Sequence, residues 1–172
     1  PECNFTGDMS RDDEGLITLI INGEELPTGS PNQTFAKNVL AASAVSSTLG
    51  IPWRDIQQQV ASFQAVAGRC WMEKRNGVTI IDDTYNANLA STLAALNYLF
   101  DIPVTVKRHF IFGDMLELGD ASEDHHRQVG RAVSERGVDQ FLCYGPESAA
   151  ATEEAKGIKA AHFDDKSSLG AA

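Results

Sequence analysis

The chain has 172 residues, enough for one full domain or for one domain with an appendage. Hydrophobic residues at 42% and charged residues at 22% exclude collagen-like and disordered classes. With 14 Lys and Arg against 24 Asp and Glu, the net charge of -10 repels nucleic acid and anionic membrane surfaces, so neither is expected as a partner.

In chain order, Pro1-Glu2-Cys3-Asn4 lacks the basic start of a signal peptide, and no apolar run approaches the ~18 residues of a membrane span. The β-rich run Leu16 to Ile21 enters Asn22-Gly23, which predicts a hairpin. Leu26 to Gln33 reads as a loop with two prolines. A helix follows from about Asn38 to Leu49, stopped by Gly50 and Pro52. A second helix carries Trp53, Ile56, Val60 and Phe63 on one face, and a domain boundary is expected close to Gly68.

Beyond Gly68 the pattern alternates. Gly77 to Asp82 reads as a buried strand, Leu89 to Phe100 as a helix, Thr105 to Phe112 as a strand and Ser122 to Arg136 as a helix. Asp139 to Tyr144 is a short strand, Glu147 to Lys156 a helix and Ile158 to Phe163 a last strand, after which Asp164 to Ala172 starts a helix with acidic caps. This order predicts an α/β fold: a mostly parallel sheet with helices on both faces, preceded by a partial α/β unit of one hairpin and two helices. The missing initiator Met and the ending Leu169-Gly170-Ala171-Ala172 lead to the expectation of a piece of a longer protein. Cys3, Cys70 and Cys143, an odd number without a CxxC pair, argue against a disulfide scaffold and for a reducing compartment.

Ligands of parallel sheets collect at the carboxyl ends of strands, which singles out Asp82-Asp83-Thr84-Tyr85-Asn86-Ala87-Asn88. Two carboxylates, a hydroxyl, a phenol and two carboxamides leave an apolar strand just before a helix N-terminus. Such groups suit a ribose diol and a nucleobase or polar substrate; they equally suit a turn in which Asn88 caps the helix and Asp82 or Asp83 holds loop N–H groups. At the next strand exit, Asp114 and Glu117 suit either a cationic group or a structured loop, the second being the better reading. His125 and His126 point about 100° apart on a helix and do not form the i, i+4 pair of a zinc site; His126 is expected to pack or hydrogen-bond. Arg69 suits a bidentate phosphate contact, but on the residues alone an exposed arginine is the better reading. No GxxxxGK[ST], GxGxxG, GxSxG or HExxH pattern occurs.

Asp82-Asp83-Thr84-Tyr85-Asn86-Ala87-Asn88, before a helix beginning Leu89-Ala90-Ser91, resembles the DDSYNANP signature of the MurF branch of the Mur ligases. Gly113 to Gly119 reads GDMLELG as in that branch, and His126-Arg127-Gln128-Val129-Gly130 is similar to its HxxVG. Phe63 to Arg69 resembles its F…V.GR junction, Lys37-Asn38-Val39-Leu40 its HNVLNALAA helix, and Tyr144-Gly145-Pro146 its GP turn. Lys37 stands where the family usually has His, Ala41 where it has Asn and Leu89 where Pro is common.

The resemblance implies three domains: a UDP-sugar domain, an ATPase domain with the phosphate loop, and a Rossmann-like C-terminal domain. Residues 1–68 would be the end of the second and 69–172 most of the third, cut before the late KGS segment. The implied reaction joins D-alanyl-D-alanine to a UDP-N-acetylmuramoyl-tripeptide, with ATP and Mg2+, through an acyl phosphate, in the cytoplasm and in a monomeric parent protein. Asn38 would contact the adenine side, Arg69 the nucleotide phosphates or ribose, and Asp83 the ribose. Tyr85, Asn86 and Asn88 would line the face between ATP and the dipeptide. The phosphate loop, catalytic Glu, carbamylated Lys and metal ligands would lie outside this chain, which is then expected to be inactive alone. Alternatives are a noncatalytic nucleotide- or peptide-binding module of the same fold, and another acid–amino-acid ligase such as a folylpolyglutamate or cyanophycin synthetase relative.

Overall fold

The computed structural model describes residues 5–103 and 107–172. Cys3 lies outside the described residues, as do Thr105 and Val106 of the expected strand. The chain divides into two compact units, residues 1–65 with 100–104, and residues 66–99 with 105–172.

The first unit is an antiparallel sheet in the order β1 (Gly7–Arg11), β2 (Ile17–Ile21), β3 (Glu24–Pro27), with helices α1 (Gln33–Thr48) and α2 (Trp53–Ser62). Asn22 and Gly23 join β2 to β3 with φ of 51° and 88°, the left-handed pair that a tight I′-type turn requires. Alternation along β2 sends Ile17, Leu19 and Ile21 into a core with Leu26, Ala36 and Val39. The expected hairpin is therefore present, with β1 added. Its run GDMSR is polar and four-fifths exposed, so it carries no alternation to detect. Helix α1 begins five residues ahead of Asn38, because Asn32 caps it by accepting the Phe35 N–H at 3.0 Å. Phe63 follows α2 and stacks on Phe35 at 5.1 Å between ring centroids.

The second unit opens with an antiparallel ribbon, β4 (Trp71–Arg75) and β5 (Val78–Asp82), turned by Asn76 and Gly77 at φ of 51° and 80°. This corrects the reading of Gly77 to Asp82 as a buried strand heading the parallel sheet. Among the described residues β5 pairs with β4, and Val78 is 59% exposed. The apolar run reflects one ribbon face, on which Val78 and Ile80 accompany Trp71, rather than burial on both faces.

Helix α3 (Leu89–Asp101) leads to a parallel sheet in the order β6 (His109–Gly113), β7 (Gln140–Tyr144), β8 (Lys159–Phe163). Helix α4 (Ser122–Arg136) runs between β6 and β7, α5 (Ala149–Glu154) between β7 and β8, and α6 (Lys166–Gly170) follows. The α/β reading stands. Central β7 buries Phe141, Leu142 and Cys143, as a strand flanked on both edges must. Glu123 and Asp124 open α4, and Arg136 with left-handed Gly137 closes it, each favourable to the helix dipole or cap. Asp165 caps α6 by accepting the Ser168 N–H at 2.9 Å, as its acidic start predicts.

Candidate functional site

The antiparallel register sets Trp71 opposite Asp82, so the residues entering β4 and those leaving β5 meet at one mouth. Gly68 takes φ of 77°, and a Cβ there would stand 3.2 Å from the Tyr85 nitrogen. The left-handed φ and this close approach both favour glycine, whose carbonyl accepts the Tyr85 N–H at 3.0 Å. Two residues on, Cys70 is left-handed at φ of 51°, a conformation that costs a side-chain-bearing residue about 1–2 kcal/mol. Asp83 offsets it, its Oδ1 accepting the Cys70 N–H at 3.0 Å.

Arg69 is held between these two left-handed residues. Its Cζ lies 4.0 Å from the centroid of the Tyr85 ring, within cation–π range. Asp82 accepts the Thr84 hydroxyl at 2.7 Å, and that bond above all holds its carboxyl below the ordinary value, partial burial opposing and the Thr84 and Gly68 N–H groups assisting. The Oδ1 of Asn86 accepts the Ala87 N–H at 2.9 Å. Asn88 caps α3, accepting the Ser91 N–H at 2.9 Å while its own N–H donates to the Ser91 hydroxyl at 3.0 Å.

Arg69, Asp83 and Tyr85 thus come together at the mouth in the second unit, Asn86 and Asn88 follow in the same loop with local partners only, and Asn38 stands exposed on α1 in the first. The turn reading holds for Asn88, Asp82 and Asp83, all of which secure backbone. It does not use them up. A carboxylate offers about four acceptor sites, so one N–H on Asp83 leaves room for a diol. The residues that sequence reasoning passed over are Gly68 and Cys70 as conformational clamps; the Gly-Arg-Cys order beside a polar strand exit was the available signal.

The second expected loop is structural. Asp114 accepts the Ser148 N–H at 2.8 Å and fills the space beside Gly145, where a Cβ would stand 2.5 Å from the carboxylate. His126 is fully buried; its Nε2 accepts the Met115 N–H at 3.0 Å, and its Nδ1, carrying the proton, donates to the Ser122 carbonyl at 2.7 Å. Arg127 spans Glu123, Glu153 and Glu154, whose hydrogen bonds raise its guanidinium above the ordinary value. Gly130 packs against the Ala151 backbone, a Cβ standing 2.9 Å from its carbonyl carbon. A groove of about 380 Å³ between α3 and α4, lined by Leu93, Leu96, Asn97, Ala132, Glu135 and Arg136, is bridged by an Arg136–Asn97 hydrogen bond and includes none of the expected residues.

Among the described residues no three His, Cys, Asp or Glu side chains gather where they could hold a metal ion. Nor is any helix among them long and apolar enough to cross a membrane.

Residues 68–172 match the family described as Mur ligase, glutamate ligase domain. The chain is 37% identical over 153 residues to the UDP-N-acetylmuramoyl-tripeptide–D-alanyl-D-alanine ligase of Escherichia coli (strain K12), covering 84% of this chain and 33% of that protein. Its fold is similar to the crystal structure of MurF from Acinetobacter baumannii, with TM-score 0.84, 25% identity, and coverage of 97% of this chain and 37% of that one. It is also similar to the MurF ligase of Thermotoga maritima in complex with ADP, with TM-score 0.79, 26% identity, and coverage of 97% and 38%. The chain spans about a third of the length of the relatives it matches.

Proposed function

Because the chain belongs to the Mur ligase family, in its MurF type and through the glutamate ligase domain, we propose that it works within an ATP-dependent ligase joining D-alanyl-D-alanine to a UDP-N-acetylmuramoyl-tripeptide. The supporting observation is the β4–β5 mouth, where Arg69, Asp83 and Tyr85 are fixed by a shared set of turns. In this reading the terminal carboxylate of the tripeptide attacks the γ-phosphorus of ATP, and ADP leaves. The amine of D-alanyl-D-alanine then attacks the acyl phosphate, its nitrogen–carbon bond forming as phosphate and the amine proton depart. The acyl phosphate survives only where water is excluded.

Within that reaction Arg69 meets the anionic end of the nucleotide, suited by its fork of N–H donors. Asp83 accepts from the ribose diol with the acceptor sites that Cys70 leaves it. Tyr85, Asn86 and Asn88 line the face toward the dipeptide, and Asn38 serves the adenine side. Residues 1–68 are the end of the ATPase domain and 69–172 most of the C-terminal domain. The magnesium that such phosphoryl transfer employs would be held mainly by the part of the ATPase domain outside this chain. The substrates place the enzyme in the cytoplasm, and its parent protein is monomeric.

The gene provides the test. Its reading frame is expected to encode, upstream of this chain, a glycine-rich Gly-Thr-x-Gly-Lys-Thr phosphate loop. A full-length product that releases phosphate from ATP only when both the UDP-linked tripeptide and D-alanyl-D-alanine are present supports the reading; one that ignores either substrate overturns it. By calorimetry the isolated chain is expected to bind ATP weakly, since most phosphate contacts lie elsewhere. Micromolar affinity would overturn that division of labour.

A further inference from the structure

We propose that Tyr85 acts through Arg69: its ring is the shelf that holds the Arg69 guanidinium in one place at the mouth of the β4–β5 ribbon, so that an undiminished positive charge meets the phosphates of a nucleotide. This rests on the nucleotide reading above and deepens it: toward the nucleotide Tyr85 has a positioning role, exercised through Arg69 and not by a contact of its own, beside its place on the face toward the dipeptide.

Three observations carry it. Tyr85 is 68% exposed, an unusual place for a large ring, and the guanidinium lies 4.0 Å from its centroid. The backbone beneath is fixed on both sides, for Gly68 and Cys70 are left-handed and are tied to Tyr85 and Asp83 by hydrogen bonds of 3.0 Å each. Finally, Asp82 and Asp83 leave β5 at the mouth that Arg69 enters, yet their bonds go to Thr84 and Cys70, and among the described residues Arg69 forms no ion pair. A carboxylate partner would position an arginine by neutralising it. An aromatic face positions it and leaves the charge for the incoming anion.

The experiment follows the side-chain resonances of Arg69 by NMR in the 172-residue chain, with ATP at millimolar concentration as the probe. Tyr85→Phe keeps the π face, Tyr85→Leu keeps bulk without it, and Tyr85→Ala removes both. Ring-current shifts of the Arg69 side chain are expected in the parent and in Tyr85→Phe and are lost in the other two, while β7 amides stay unmoved and report an intact fold. The ATP dissociation constant is expected to rise about threefold in Tyr85→Ala and Tyr85→Leu and to be unchanged in Tyr85→Phe, the size of an exposed cation–π contact. In an Arg69→Ala background Tyr85→Ala should add nothing.

Unchanged Arg69 resonances in Tyr85→Ala overturn the positioning role. So does a loss of affinity that persists without Arg69, since the ring would then touch the nucleotide itself. An Arg69 that is ring-shifted in the parent but unmoved by ATP overturns the nucleotide reading while the stacking stands, which separates the two failures.

Discussion

His126 shows how a residue that looks chemical can be consumed by structure. Both ring nitrogens are engaged in a fully buried site, one accepting from Met115 and the other donating to Ser122. His126→Ala would leave a buried N–H without an acceptor and a void against Phe112, whose ring centroid is 5.6 Å away. The expected loss is roughly 2–4 kcal/mol in urea unfolding; a variant within 0.5 kcal/mol of the parent, about the noise of a surface change, would refute the buried role. Cys143, fully buried, has its thiol pushed up to about 12 by desolvation. Native protein alkylated at pH 8 should therefore carry no adduct at Cys143 and acquire one only after unfolding, as read by peptide mass mapping. Asp82 has the opposite sign. Its hydrogen bond from Thr84 favours the carboxylate, so its folded value lies below 3.8, and its stabilisation is present above that pH and lost as pH falls through the folded value. A carboxyl-carbon titration midpoint at or above 3.8 would contradict this, and Asp82→Asn should erase the corresponding acid sensitivity of the ribbon mouth.

Helices α4 and α5 depend on a glycine where their backbones touch. Alanine at position 130 gains ~1 kcal/mol of helix propensity, but its methyl would overlap the carbonyl of Ala151, which is backbone and cannot swing aside. Overpacking of this kind costs about 1–3 kcal/mol, so Gly130→Ala should be net destabilising with a lower Tm. Equal or greater stability would show that α5 moves freely on α4. Both Asn-Gly turns illustrate what local sequence can carry. Asn22-Gly23 sits between β-rich runs and reads as a hairpin at once. Asn76-Gly77 uses the same left-handed pair, but Glu73, Lys74 and Arg75 precede it, and charge conceals the strand. The cap at Asn88 and the acidic start of α6 are legible for the same local reason, since capping is decided within three residues. The pairing of β5 with β4 is not local in that sense, and apolar content alone cannot tell a ribbon face from a buried strand.

For the whole molecule the charge of -10 repels an anionic nucleotide at a distance. At physiological salt that field fades over about 8 Å, and the local placement of Arg69 then outweighs the total. The polar strand exit and the lone arginine are each legible in the sequence as separate features; that they meet is not, because the left-handed turns that join them rest on Cys70, which has no intrinsic preference for that conformation. The two kinds of sheet in the second unit also imply two clocks. In the ribbon, Arg75 meets Val78 across a two-residue turn, a contact made in microseconds, whereas His109 must find Gln140 through the length of α4. A lone two-stranded ribbon is also thermodynamically weak, and here Trp71, Met72, Val78 and Ile80 remain exposed. Amides of β4 and β5 should therefore exchange with solvent deuterium orders of magnitude faster than those of β7, in openings far smaller than global unfolding. Protection of the ribbon equal to that of β7 would refute this. If the ribbon opens as expected, Arg69 and Tyr85, which flank its two strands, lose and regain their stacking with each opening, so the shelf is rebuilt many times within the lifetime of one folded molecule.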